Sequence, residues 1–255
     1  MRKLFLLAIT SVVLTSCSEL LQVASQYSST VKLPITKVSN SENISGLKSS
    51  LNVGLDKAVG TLGLENGFYK DAALKLLLPK DAQPIIDNIK LIPGGDDLVE
   101  RAVLSLNRSA EDAVKSAAAI FKSAIANMSF TDATSILFGG KTAATDYLRK
   151  ATYSQLKVAF TPKIQASLEK PLVANVSTTK TWNSLTSNYN KVAGTAVGAI
   201  AGLKTVNVNL SEYVTEKTLD ALFTQVAFEE NSIRTNPSAR INDILKKVFG
   251  QLDKK

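Results

Sequence analysis

Histidine is absent from this chain, cysteine occurs once as Cys17, and tryptophan occurs once. The missing histidine excludes Cys/His metal sites, Ser-His-Asp and Cys-His nucleophilic systems, and histidine pH switches. A lone cysteine excludes an intramolecular disulfide, so stability has to come from a packed core. An enzyme built from what is left needs paired carboxylates, a lysine, or a Ser-Lys pair. The adjacent acids Asp96/Asp97, Glu111/Asp112 and Glu229/Glu230 are poor dyads. Neighbours on a helix point about 100° apart and do not face one another. The expectation is therefore a chain that is not an enzyme, with no catalytic residue, no metal and no cofactor.

No apolar run reaches the roughly 20 residues needed to cross a bilayer. The longest at the amino terminus, Leu4–Leu14, follows Arg2 and Lys3. A basic start, a short apolar core and small residues at its end make a secretory signal. The sequence Leu14-Thr15-Ser16-Cys17 resembles the lipobox of bacterial lipoproteins. The resemblance implies cleavage after Ser16, a signal peptide over residues 1–16, and lipid on Cys17. Several acyl chains give long-lived attachment where one is marginal. The following residue is Ser18, not Asp, which by analogy with the enterobacterial sorting rule favours the outer membrane, facing the periplasm. Residues 17–42 are Ser/Thr-rich and read as the lipidated cysteine plus a flexible tether spanning roughly 25–30 Å.

Arginine is also scarce. Losing Arg2 and Lys3 takes the formal charge from +8 to +6, and the remaining arginines are Arg101, Arg108, Arg149, Arg234 and Arg240. Nucleic-acid recognition leans on arginine forks and clustered bases; here the surplus is lysine interleaved with acids. No nucleic-acid partner is expected. A solvated lysine face is, compatible with weak attraction to anionic headgroups near the anchor.

What is abundant is helical periodicity. Ile44, Leu47, Leu51, Leu55, Ala58 and Leu62 recur at three- and four-residue spacing. Gly67 and Pro79 then punctuate the chain, and a short helix is expected over Gln83–Leu91. Asp96 can cap a helix running unbroken to Met128, with a stripe of Leu98, Ala102, Leu106, Ala113, Ala117, Ile120 and Ala124. Ser129 and Asp132 form a capping box for the next. A helix from near Thr142 is expected to kink or restart at Pro162, and others cover Trp182–Tyr189 and the long stretch from Asn209 to Pro237. Asn236 caps the last helix, with Pro237 at its first position and Gly250 past its end. "KTVNVNL" is the best strand candidate, and it is short. The reading is all-α, a multi-helix bundle behind a cleaved signal and tether, with one helical domain over residues 43–252.

Gly194, Gly198 and Gly202 recur every four residues within "VAGTAVGAIAGL", a spacing that aligns small residues on one helix face. Three readings stand side by side: a close-packed buried hairpin, a flexible loop, or a piece touching lipid or a second copy. A separate polar set sits in otherwise apolar-periodic helices: Asn107, Arg108 and Glu111 within one turn, Asp146 and Arg149 three apart, Glu230 and Arg234 four apart. It reads either as interhelical salt bridges or as a polar groove for an anionic or peptide-like ligand.

The stretches "SLNRSAEDAV", "MSFTDATSILFGGKTAATDYLR", "LSEYVTEKTLDALF" and "IRTNPSARINDILKKVFG" together resemble a family of bacterial exported proteins, domain of unknown function 4197. The resemblance implies an α-helical periplasmic or lipid-anchored protein and brings no activity or catalytic residues with it. The expected role is an interaction or scaffold lipoprotein meeting an envelope protein, with a small-ligand binding protein as the alternative. Oligomeric state is left open.

Overall fold

The computed structural model describes residues 38–254. The expected signal segment, Cys17 and the expected tether up to residue 37 lie outside the described residues. Ten α-helices and no strand occur among the described residues; Val173 and Val176 form an isolated bridge.

Helix α1 (Asn40–Leu62) begins four residues ahead of the apolar repeat because Ser39 supplies a capping box. Its hydroxyl accepts the Glu42 N–H at 3.2 Å, and the Glu42 carboxylate accepts the Ser39 N–H at 2.9 Å. Leu47, Leu51, Leu55 and Leu62 are fully buried. Helix α9 (Leu210–Thr235) lies along α1, and α6 (Ala143–Glu169) lies along α9. Gly54 makes the first contact close, since a Cβ there would sit 3.3 Å from the Val226 carbonyl oxygen. Helix α3 (Gly95–Val114) packs between α6 and α7 (Thr178–Ala193), while α4 (Ala117–Asn127) covers α1 and α6. Phe121 of α4 meets Phe223 of α9 with ring centroids 5.4 Å apart. Helix α10 (Asp243–Phe249) closes on α1 where Gly46 leaves room for Val248. Three short helices, α2 (Gln83–Asp87), α5 (Ala133–Leu137) and α8 (Ala196–Ile200), join these.

Several local expectations are corrected. The helix expected from Asp96 to Met128 is two, α3 and α4. Gly94 is the N-cap at φ 65°, and Asp96 and Asp97 occupy the first turn, where their charge meets the helix dipole. The chain turns at exposed Lys115 and Ser116. As a result Phe121 and Ile125 are buried on α4 rather than Ile120 and Ala124. Pro162 does not restart a helix; it lies inside α6. Its missing N–H leaves the carbonyl of Val158, a residue 76% exposed, without its helix partner. Asp132 alone caps α5, accepting the Ser135 N–H at 2.8 Å. Asn236 caps a 3-10 turn at Pro237–Ala239, and Asn242 caps α10. "KTVNVNL" forms no strand, and its last residue, Leu210, begins α9.

Candidate functional site

The polar residues singled out on the helices fall into three sets, and no hydrogen bond or ion pair joins one set to another among the described residues. On α3, Asn107 is fully buried. Its amide accepts from Leu76 N–H at 2.9 Å and donates to the Leu76 carbonyl at 2.8 Å. One turn on, buried Glu111 accepts the N–H groups of Phe68 and Tyr69, and Arg108 donates to Glu111, Glu65 and Asn66. This trio holds the irregular segment 64–78 onto the bundle. A buried polar side chain needs partners, and here backbone supplies them.

The second set sits where α5, α6 and α9 meet. Glu230 is fully buried and accepts the Ala144 and Thr145 N–H groups and the Thr145 hydroxyl at 2.6–2.9 Å. Arg234 donates to Glu230 and to the Leu137 and Ile136 carbonyls. Arg240, outside the expected polar set, donates to the Ile233 and Arg234 carbonyls and pairs with Asp253. The negative charge thus lies at the N-terminus of α6, and the positive charges lie at the C-termini of α5 and α9. Each sign matches the helix dipole it meets. The signal for Arg240 was available: arginine is rare in this chain, and it lies one short turn past the end of α9.

In the third set Arg149 pairs with Asp220 of α9, and its guanidinium lies 5.1 and 5.2 Å from the Tyr153 and Phe223 ring centres. Asp146 does not join it; its carboxylate accepts the Thr142 hydroxyl at 2.8 Å. The seven residues therefore form no single hydrogen-bonded cluster, although Asp146 and Arg149 both line one groove beside Tyr153, Glu216 and Asp220.

The glycine spacing also resolves differently. Gly194 is the C-cap of α7, Gly198 lies within α8, and Gly202 adopts φ 72°. A Cβ at Gly198 would lie 2.4 Å from the Val192 carbonyl. The glycines close two successive turns and share no continuous helix face.

A groove that the sequence reading missed runs between residues 73–81 and the first half of α9, with a volume of about 830 Å³. Its walls include two extended segments, each held by an asparagine. Asn190 brackets Val206 as Asn107 brackets Leu76, donating to its carbonyl at 2.9 Å and accepting its N–H at 2.8 Å. In extended backbone the N–H and C=O of one residue point the same way, and successive residues alternate. Leu76 and Leu78 are buried and Leu77 is 60% exposed. With Leu76 turned to Asn107, Leu77 presents its backbone to α9, where the Tyr213 hydroxyl donates to its carbonyl at 2.7 Å. The Leu77 N–H has no partner among the described residues. Burial pushes the Tyr213 hydroxyl pKa up, keeping it a donor. Glu212 and Glu216 line the groove and share Lys157.

No curated protein and no solved structure matches the chain. The family profile described as "Protein of unknown function (DUF4197)" matches residues 37–250, a span that takes in the whole helical bundle through α10. The chain belongs to that family of proteins of unknown function.

Proposed function

We propose that this chain is a lipid-anchored envelope protein whose helical domain is a non-catalytic interaction module, and that its groove takes an extended peptide segment of a partner. The observation that carries the reading is the Leu77 backbone: in no helix, flanked by buried Leu76 and Leu78, its carbonyl held by Tyr213 of α9 and its N–H without a partner among the described residues. An added strand gains affinity from such main-chain groups and specificity from side-chain pockets between them. The anchor rests on Arg2, Lys3, the apolar run and Leu14–Cys17, and Ser18 favours the outer membrane facing the periplasm. A small anionic ligand is the weaker reading, because the guanidinium groups of Arg108, Arg234 and Arg240 are already occupied by carboxylates and carbonyls.

Site-specific photocrosslinking in the intact cell tests the module. A photoreactive residue at position 77 is expected to give an adduct mapping to one linear segment of an envelope protein. The same residue at position 158, exposed on α6 outside the groove, is expected to give none. Equal adducts at both positions, or none at 77, contradict the reading. Radiolabelled palmitate should enter the wild-type chain and not Cys17→Ser; label in both removes the anchor.

A further inference from the structure

We infer that the α7–α8 apex, residues 191–204, is a contact with an anionic lipid surface. From Lys170 to Ser211 the chain holds no Asp or Glu, while Lys170, Lys180, Lys191 and Lys204 fall within it. Lys170 pairs with Asp112. The other three are exposed and form no ion pair among the described residues, so this hairpin carries uncompensated positive charge.

At its tip the sign gives way to apolar surface. Val197 is 76% exposed and Ile200 89% exposed, with Ala196, Ala199 and Ala201 exposed around them. Isolated exposed apolar residues need no explanation, but five within six positions on one projecting turn do. The backbone there is closed on itself. Gly198 N–H bonds to the Thr195 hydroxyl, Ala199 N–H to the Thr195 carbonyl, and Ala201 N–H to the Val197 carbonyl. Gly202 and Leu203 N–H complete the turn on Ala199 and Gly198. Entry into the headgroup boundary is costly for unsatisfied peptide groups, and this turn offers few. Lysines on either side, apolar residues between and a satisfied backbone are the chemistry of an interfacial anchor. No described helix is long and apolar enough to cross a membrane, so the contact is superficial.

The inference is independent of the peptide groove and depends on the envelope placement only for its setting. Vesicle binding by a chain without lipid separates the two. Residues 18–255, purified without acylation, are mixed with vesicles of phosphatidylethanolamine and phosphatidylglycerol, and with phosphatidylcholine vesicles as the neutral control. Binding to the anionic vesicles is expected, weakening with salt. It should fall at least about tenfold in Ile200→Ser and in the pair Lys191→Gln, Lys204→Gln. Because Ile200 is exposed, its replacement leaves the core intact. Trp182 is the sole tryptophan and is buried, so Ile200→Trp adds a separable signal whose emission should shift to the blue on anionic vesicles. No binding, equal binding by Ile200→Ser, or no blue shift overturns the inference. A concentration-dependent dimer in sedimentation that Ile200→Ser abolishes, without vesicle binding, overturns it in favour of a second copy.

Discussion

Glu230 is fully buried, its carboxyl held by two N–H groups, a hydroxyl and a guanidinium. Breaking a buried pair from one side leaves an uncompensated charge and costs about 3–5 kcal/mol. Glu230→Gln should lower unfolding free energy by that order in urea, and a cycle with Arg234→Met should show strong coupling. Carboxyls nearer the surface predict the acid response. Glu42 is lowered to about 2, first by its bond from Lys247 and then by Ser39. Burial alone pushes Asp112 up, but bonds from Lys170 and Ser167 bring it below its usual value. Arg240 lowers Asp253. A carboxyl depressed in the folded state stabilises above its unfolded pKa, about 4, and that contribution disappears as pH falls through the folded value. With no histidine in the chain, the urea midpoint should stay level from about pH 5 to 8. It should decline between about pH 4 and 2; a slope centred near pH 6 contradicts this account.

At the scale of the element, α1 contains its own control. A Cβ at Gly46 would meet Val248 at 2.6 Å, whereas one at Gly60 meets nothing within 4 Å. Gly46→Ala should therefore destabilise by about 1–3 kcal/mol through overpacking against α10. Gly60→Ala should stabilise by about 0.5–1 kcal/mol through helix propensity, both read from chemical denaturation. Pro162→Ala restores one N–H to α6 and should stabilise by up to about 3 kcal/mol. Helices were legible in the sequence because apolar spacing along α1 and α9 is a local signal that packing then satisfies. The break at Lys115–Ser116 was not, because no glycine or proline marks it and the turn serves contacts made far along the chain. The four-residue glycine spacing does not mark one continuous helix face, for a related reason. Gly198 answers to a carbonyl six residues away in its own chain, which spacing alone cannot distinguish from a helix partner. The pairs Arg108–Glu111 and Arg234–Glu230 were legible from their three- and four-residue spacing, whereas the partner of Arg149 was not. Arg149 found Asp220, a pairing set by tertiary approach, while Asp146 bonds Thr142 four residues back in its own helix start.

Across the whole molecule, buried charge serves architecture and the surface carries what remains for function. The three polar sets bind helix ends and one irregular segment, leaving the groove beside α9 as the place where backbone is extended and open. Neither of its walls had a sequence signature, since both depend on single asparagines, Asn107 and Asn190, reaching across to another segment. The direct test is peptide selection from a random display library on purified residues 18–255, followed by affinity measurement on Leu77→Pro. Proline removes the one N–H proposed to pair with the ligand and no intramolecular bond, and Leu76 before it is already extended. Selected peptides should bind the wild-type chain and lose about tenfold in affinity on Leu77→Pro, the worth of one hydrogen bond, with an unchanged melting temperature. Failure to select any peptide, or equal affinity for Leu77→Pro, contradicts the groove as a peptide site.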